Sequence, residues 1–165
     1  MRIYLMRHGA AIERDDPDCP AEAERYLTPK GVQRTRAAAE GLTELGIRPS
    51  VLLTSPYVRA VQTGEIVCDA LDIDPKSLRA SEALKPEAKP VRIAEELSGF
   101  TAEEVICFGH APNLDDFIAY AVRASAPFTA LKKAGVACLD VQRFSPAEGR
   151  LRWLLSSKQL RALGE

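Results

Sequence analysis

Short apolar runs alternate with longer segments of helical periodicity along most of this chain. The runs that are predicted to be strands are residues 3–6, 51–54, a weaker run within 78–84, and 104–108. The segments that are predicted to be helices are residues 30–45, 58–71, 91–97, 112–122 and 157–163. Two late stretches, 135–144 and 151–155, flank Ser145-Pro146-Ala147-Glu148-Gly149 and predict an antiparallel hairpin. This order predicts an α/β protein with three layers (α-β-α): a central, mainly parallel sheet, helices on both faces, and a C-terminal antiparallel hairpin.

Local signals support individual boundaries. Thr28 and Pro29 suit the cap and the first position of the first helix, while Ala10 to Arg25 is polar and turn-rich and is predicted to be a surface loop. In the second helix, the apolar face is predicted to contain Val58, Val61, Ile66 and Cys68.

Composition limits the class of protein. The 165 residues are predicted to form one domain, residues 1–165, and the hydrophobic share of 46% is ordinary for a globular protein. The net charge of −1 gives no overall attraction for nucleic acid or an anionic membrane, so neither is expected as a partner. No apolar run approaches the length of a signal-peptide core or a membrane span, so a cytoplasmic location is expected. The expected oligomeric state is a monomer.

The four cysteines are far apart in the sequence and form no Cys-x-x-Cys pair. Cys68, Cys107 and Cys138 have apolar neighbours and are predicted to be buried free thiols. With only two histidines in the chain, no zinc site is expected. No metal and no other cofactor is predicted.

Polar side chains follow three of the predicted strands at the point where each strand ends. Arg7 and His8 end the first strand, Ser55 ends the second with Arg59 one helical turn later, and His110 follows the strand at 104–108. Because the carboxyl ends of parallel strands lie at one edge of a sheet, these side chains are expected to converge. Both histidines of the chain would therefore lie beside two arginines.

Such a cluster suits phosphoryl chemistry. Two guanidiniums donate bidentate hydrogen bonds to a dianionic phosphoryl group, and a nearby imidazole can act as a nucleophile or in acid–base catalysis. Burial and the neighbouring guanidiniums both disfavour a charged histidine, which leaves a ring nitrogen free to attack phosphorus. The chain has neither Gly-x-x-x-x-Gly-Lys-Ser/Thr nor Gly-x-Gly-x-x-Gly, so a nucleotide-driven transfer is not indicated.

Three motifs resemble the signatures of the histidine phosphatase superfamily, also called phosphoglycerate-mutase-like. They are Leu5-Met6-Arg7-His8-Gly9, Ser55-Pro56-Tyr57-Val58-Arg59-Ala60-Val61-Gln62-Thr63 and Gly109-His110, in the family's order. The resemblance implies that His8 is the nucleophile that becomes phosphorylated. It also implies that Arg7, Arg59 and His110 complete the phosphate pocket, and that water then hydrolyses the phosphohistidine.

Within this family, the short chain and the Gly-His-Ala-Pro-Asn-Leu stretch are similar to the SixA-type protein phosphohistidine phosphatases. The compact segment 71–104 leaves little chain for a lid, and an open site would suit a phosphorylated side chain on a protein. The resemblance therefore implies a phosphatase acting on protein phosphohistidine. A small-molecule phosphomonoesterase, acting on a sugar phosphate or nucleotide, is the alternative, and a non-catalytic phosphate-binding module is a third possibility.

A proton donor for the leaving group is not evident. Glu82 and Glu87, in the loop region before Pro90, are the candidates, but neither lies in a motif. The phosphorus–nitrogen bond of phosphohistidine releases an imidazole, which needs less help from a positioned acid than an alkoxide does. A missing acid would therefore fit a phosphohistidine substrate.

Overall fold

A six-stranded sheet forms the middle layer of the computed structural model, which describes all 165 residues. The strands are β1 (Arg2–Arg7), β2 (Val51–Thr54), β3 (Leu78–Ala80), β4 (Glu104–Gly109), β5 (Val136–Phe144) and β6 (Ala147–Leu155). Their order across the sheet is β3-β2-β4-β1-β5-β6. The first four strands run parallel, β5 runs antiparallel to β1, and β6 runs antiparallel to β5. The mainly parallel sheet with a C-terminal hairpin is thus confirmed.

Helices cover both faces of this sheet, which confirms the three-layer prediction. They are α1 (Pro29–Glu44), α2 (Val58–Ala70), α3 (Pro90–Leu97), α4 (Asn113–Ala121) and α5 (Ser157–Leu163). One buried cluster joins α1, α2 and α5 to the sheet, and a second cluster joins α3 and α4 to its other face. None of the helices combines the length and apolarity that a bilayer span requires.

The central strands are apolar on both sides because both sides are covered. In β1, Ile3 and Leu5 pack towards α3 and α4, whereas Tyr4 and Met6 pack towards α1, α2 and α5. β4 alternates in the same way, and its Cys107 is fully buried. All four cysteines are free thiols, and Cys68, Cys107 and Cys138 are buried as predicted.

The predicted apolar face of α2 is wrong at two of four positions. Val58 and Val61 are only half-buried, whereas the buried face includes Arg59 and Thr63. Ile66 is also half-buried, but it packs against the apolar cluster beneath α2, as predicted. The face that α2 turns inwards also borders the edge of the sheet where the polar motifs lie. Hydrophobicity alone therefore misplaces this face, since the inward positions near that edge carry polar side chains.

The segment between β1 and α1 is largely exposed over residues 13–24, as predicted for a surface loop, but it is buried at both ends. Ala11 forms an isolated antiparallel bridge with Leu27, and Arg25 is buried. The predicted cap of α1 is confirmed, because Thr28 Oγ1 accepts a hydrogen bond from the backbone N–H of Gly31 at 3.0 Å. A Cβ atom on Gly31 would collide with the carbonyl oxygen of Ala10, so glycine lets the start of α1 approach this segment closely.

The C-terminal hairpin is longer than predicted. β6 begins at Ala147 rather than at residue 151, so only Ser145 and Pro146 separate it from β5. The pairing between β5 and β6 includes Val141 with Gly149 and is interrupted by two register shifts. These irregularities accommodate turn-forming residues within a strand.

Candidate active site

The strand order brings the predicted site residues to one place. β4 lies between β1 and β2, and Arg7 is paired with Gly109 in the register of β1 and β4. The backbone N–H of His8 donates to the carbonyl oxygen of Gly109 at 3.0 Å. The imidazole rings of His8 and His110 are therefore close, with centroids 5.1 Å apart.

The hydrogen bonds of His8 define which ring nitrogen is free. Nδ1 lies 2.7 Å from the carbonyl oxygen of Gly9, and because a carbonyl only accepts, Nδ1 carries the proton. The lone pair of Nε2 then accepts a hydrogen bond from Nε of Arg59 at 3.3 Å. Burial, together with the charges of Arg59 and Arg7, lowers the pKa of His8 to about 3, so the ring is neutral at physiological pH.

Gly9 and Thr63 fix the end of β1 against α2. The backbone N–H of Gly9 donates to Thr63 Oγ1 at 3.0 Å, and that hydroxyl donates to the carbonyl oxygen of Arg59 at 2.7 Å. A Cβ atom on Gly9 would collide with Thr35 Oγ1, so this turn has room only for glycine. These contacts set the position of His8 relative to Arg59.

His110 is held from the other side by the start of the second motif. Its Nε2 lies 2.8 Å from Ser55 Oγ, which also accepts a hydrogen bond from the backbone N–H of Tyr57 at 3.3 Å. The ring of Tyr57 packs edge-on against His110 and also lies under the Arg59 guanidinium. Burial is the main reason that the pKa of His110 falls to about 3, and its Nδ1 atom is buried without a hydrogen-bond partner.

Arg7 is anchored through a loop rather than by a carboxylate. Its Nη1 donates to the carbonyl oxygen of Leu131 at 3.0 Å, and the backbone N–H of Leu131 donates to Asp115 Oδ1 at 3.0 Å. Thr129 Oγ1 donates to the same carboxylate oxygen at 2.6 Å. Asp115 thus orders the loop that holds Arg7, whereas the Nε atom of Arg7 is buried and unpartnered.

Arg59 has a carboxylate neighbour that sequence reasoning missed. Its Nη1 donates to the backbone carbonyl oxygen of Glu22 at 2.8 Å, and its Nη2 donates to Glu22 Oε1 at 3.1 Å. Glu22 lies in the turn-rich segment after β1, where no periodic pattern distinguishes one acidic residue from another. The proximity of its side chain to α2 depends on tertiary structure.

The site is also less open than expected. Only 6% of His8 and 3% of Arg59 are exposed. Glu22 lies against Arg59, because its backbone oxygen and its side chain both accept hydrogen bonds from that guanidinium. The covering chain is thus the segment that was predicted to be a surface loop.

The two candidate proton donors have no hydrogen bond to the four clustered residues. The side chain of Glu82 is 78% exposed, and its carboxylate pairs with Lys85 at 2.5 Å. Glu87 is exposed as well. Their role as acids stays a prediction. No three His, Cys, Asp or Glu side chains come together in a way that could hold a metal ion.

Sequence comparison identifies the family to which this arrangement belongs. The profile of the histidine phosphatase superfamily (branch 1) matches residues 3–85, which include the motifs containing His8 and Arg59. The chain belongs to the histidine phosphatase superfamily. An uncharacterized protein of Picosynechococcus sp. is 33% identical to this histidine phosphatase over 82% of each chain.

Two further comparisons extend over almost the entire histidine phosphatase. Phosphohistidine phosphatase SixA of Escherichia coli (strain K12) is 28% identical, and the match covers 98% of this chain and 97% of the relative. A solved structure of the protein histidine phosphatase SixA complexed with tungstate superposes with a TM-score of 0.86 and 25% identity, covering 97% and 99% of the two chains. The family and fold predictions are confirmed, and the chain is a phosphatase.

Proposed function

We propose that this phosphatase removes the phosphoryl group from a phosphohistidine side chain of a protein, through a covalent phosphohistidine on its own His8. The observation that carries the proposal is the state of His8: a neutral ring whose Nδ1 is protonated and whose Nε2 lone pair points into an arginine-lined site. A neutral imidazole with a fixed tautomer is ready to attack phosphorus.

In the first step, Nε2 of His8 forms a bond to phosphorus while the bond from phosphorus to the substrate imidazole breaks. The electron pair of that bond leaves with the substrate ring. When the other nitrogen of the substrate ring is protonated, the ring departs as a neutral imidazole, and imidazole has an ordinary pKa near 6.5. This departure explains how the reaction can proceed without a strongly positioned acid.

The negative charge on the transferring group would be met by Arg7, Arg59 and His110. Arg7 Nε and His110 Nδ1 are buried polar atoms without a protein partner, and phosphoryl oxygens would satisfy both. For His110 Nδ1 to donate, its Nε2 must accept, which the hydroxyl of Ser55 allows by donating its proton across the 2.8 Å contact. Positioned donors of this kind stabilise charge that develops in the transition state.

In the second step, water attacks the phosphorus on His8, and the bond from phosphorus to Nε2 breaks. The ring recovers its lone pair, and the protons of the attacking water go to phosphate and solvent. Among the four clustered residues, only Arg59 has a side-chain hydrogen bond to a carboxylate, and that carboxylate belongs to Glu22. The cycle thus requires only a neutral nucleophile and preorganised cations.

A protein substrate is favoured over a small ester by two features. The relative that matches almost the whole chain is named for phosphohistidine, and neither Glu82 nor Glu87 is positioned by a contact with the clustered residues. An alkoxide leaving group would need such an acid more than an imidazole does. We also propose that the chain is one domain that acts as a monomer in the cytoplasm.

The test compares kcat/KM on a phosphohistidine-bearing protein with kcat/KM on a panel of sugar phosphates, nucleotides and phosphoserine. His8→Ala is the blank, and a matching circular dichroism spectrum establishes that the variant is folded. We expect a preference for the phosphoprotein of at least about tenfold, and no turnover with His8→Ala. Rapid quenching should also trap an acid-labile phosphoryl group on the wild-type chain alone.

Other outcomes would change the proposal in different ways. A preference for one small ester would be consistent with the mechanism but would assign a different substrate. A loss in kcat in Glu82→Gln or Glu87→Gln would then identify the acid. Turnover by His8→Ala near the wild-type rate would remove His8 as the nucleophile. No turnover on any substrate would favour a phosphate-binding module.

A further inference from the structure

Three arginines converge on the Glu22 carboxylate beside the phosphatase site. Arg14 donates to it through Nε at 2.9 Å and Nη2 at 2.8 Å, and Arg25 donates through Nη1 at 3.1 Å. The third is Arg59, through Nη2 at 3.1 Å. One carboxylate therefore joins the buried Arg59 to two further guanidiniums, and neither reaction step described above involves this carboxylate.

Two edges of the Arg59 guanidinium donate hydrogen bonds to different partners. The edge formed by Nη1 and Nη2 is filled by the backbone oxygen and Oε1 of Glu22. The other edge is formed by Nε and Nη2, and its Nε donates to Nε2 of His8 at 3.3 Å. A guanidinium is a rigid planar fork, so fixing one edge fixes the direction of the other.

Glu22 is itself held in place from the opposite side. Arg25 Nε and Nη2 both donate to the carbonyl oxygen of Ile12, at 3.0 Å and 2.8 Å, so that its guanidinium braces the segment. The backbone N–H of Leu27 donates to Gln62 Oε1 at 2.7 Å, which ties the segment to α2. The segment that contains Glu22 is therefore fixed to the rest of the fold by hydrogen bonds.

The charge of Glu22 excludes one role for it. The hydrogen bond from Arg14, assisted by the charges of Arg25 and Arg59, lowers the pKa of the carboxyl group to about 2. A carboxylate that stays ionised at physiological pH has no proton to give to a leaving group. Its contact with Arg59 therefore serves position or charge, not proton transfer.

We propose that Glu22 is a positioning residue: it holds Arg59 by one edge so that the Nε–Nη2 edge faces the phosphoryl group on His8 Nε2. The inference rests on the proposed role of His8 and adds a residue to the machinery of that reaction. Arg14 and Arg25 hold the carboxylate in turn, and the three cations exceed its single charge by two, which keeps the site attractive to an anion. A competing function, in which the carboxylate occupies the phosphate position and inhibits, predicts effects of opposite sign.

Glu22→Ala is the first variant for the test. The backbone oxygen of residue 22 still accepts from Arg59 Nη1, so we expect a loss of about tenfold in kcat and not the hundredfold of a fully misplaced group. KM should change less than kcat, because the direction of the Arg59 donors matters most for the charge of the transition state, and inhibition by inorganic phosphate should weaken by a smaller factor than kcat falls. Glu22→Gln keeps an oxygen at the Oε1 position and should recover most of the loss.

Glu148→Ala is the matched control. Glu148 pairs with Arg143 at 3.0 Å and is similarly half-exposed, but it lies on the hairpin of β5 and β6. It should leave kcat, KM and phosphate inhibition unchanged. Thermal unfolding of each variant separates a loss of fold from a loss of position.

A double-mutant cycle gives the deciding measurement. If Glu22 acts through Arg59, Glu22→Ala should cost little further kcat/KM in an Arg59→Ala background. An equal loss in both backgrounds, or a rate and phosphate affinity that rise in Glu22→Ala, would overturn the inference. Binding of inorganic phosphate needs only a pocket, and its titration by thermal shift does not require turnover. Glu22 can therefore be assessed even if the proposed reaction fails.

Discussion

The Nε2 atom of His8 accepts a hydrogen bond from Nε of Arg59 at 3.3 Å. The lone pair that would attack phosphorus is therefore occupied by the cation that would stabilise the product of the attack. A phosphoryl oxygen is a better acceptor for a guanidinium than a neutral imidazole nitrogen is. Arrival of the substrate would transfer the Arg59 donor to the phosphoryl group and release the nucleophile in the same event.

Arg59→Lys should lower kcat/KM by about two orders of magnitude. All three guanidinium nitrogens are engaged, with Nε on His8 and the Nη atoms on Glu22, and a lysine ammonium cannot bridge both partners. Steady-state kinetics on the preferred substrate measures the loss. Arg143→Lys, a change at an exposed arginine of the β5–β6 hairpin, is the control and should have no effect. An unchanged kcat/KM for Arg59→Lys would contradict the bidentate role.

The free energy of unfolding should rise with pH between about pH 3 and 6.5 because of His8 and His110. Folding lowers the pKa of both to about 3, mainly through burial, whereas unfolded histidine titrates near 6.5. Between these values the unfolded chain binds more protons, so acidification favours unfolding. The limiting slope is about 1.4 kcal/mol per pH unit for each histidine, and this contribution is constant at higher pH.

Urea unfolding from roughly pH 5 to 7.5 measures this slope. His110→Gln should reduce the pH dependence in that range, since it removes one of the two titrating rings. The Glu22 carboxylate, with a pKa of about 2, becomes protonated only at lower pH and does not interfere. A slope that is equal in wild type and His110→Gln would show that burial does not keep this ring neutral.

Asp115→Asn should lower both stability and activity. The carboxylate accepts from Thr129 and from the backbone N–H of Leu131, whose carbonyl oxygen holds Arg7. An amide in this buried place leaves its own N–H groups to be satisfied, at a cost of about 1–3 kcal/mol in the free energy of unfolding. Arg7 would lose its fixed anchor, and we expect a fall in kcat/KM of about tenfold.

The measurements are urea unfolding and steady-state kinetics, with Asp140→Asn as the control for Asp115→Asn. Asp140 pairs with Arg2, at the opposite end of β1 from the site. Loss of stability without loss of kcat/KM would assign Asp115 to the fold alone. An equal loss of activity in the Asp140 variant would point to a general effect of destabilisation.

Treatment with EDTA should leave turnover unchanged. The proposed nucleophile is an imidazole, and guanidiniums would balance the phosphoryl charge, so no step calls for a metal-bound water or a metal Lewis acid. The assay compares kcat/KM before and after dialysis against EDTA. A loss that Mg²⁺ or Zn²⁺ restores would contradict the prediction.

The sequence permitted prediction of the parts of the site that follow strands. Arg7, His8 and His110 come directly after apolar runs, and the rule that parallel strands end at one edge is sufficient to bring them together. Arg59 follows from its spacing after Ser55. The same reasoning predicted the layers of the fold, because burial on both faces makes the central strands apolar throughout.

The remaining parts depend on contacts that leave no periodic signal. Glu22 and Arg25 lie in a segment whose order comes from the fold of α2 and the bridge between Ala11 and Leu27. From the sequence, Asp115 is an ordinary acidic residue in the first turn of a helix. Its hydrogen bond to the backbone N–H of Leu131 is visible only in the structure. The early start of β6 is not predicted because Gly149 is a residue typical of turns. In the structure Gly149 is paired with Val141 of β5 and belongs to the strand.

Because β4 lies between β1 and β2, the active site can form only after β4 has joined the sheet. The two histidines are about a hundred residues apart in sequence and become neighbours only when β4 has been inserted. A fragment that ended before residue 104 would retain His8 and Arg59 but lack the strand that sets them side by side. Catalysis would then begin only after β4 has paired with β1, which lies about a hundred residues earlier in the sequence, and a partly folded chain would have no phosphatase activity.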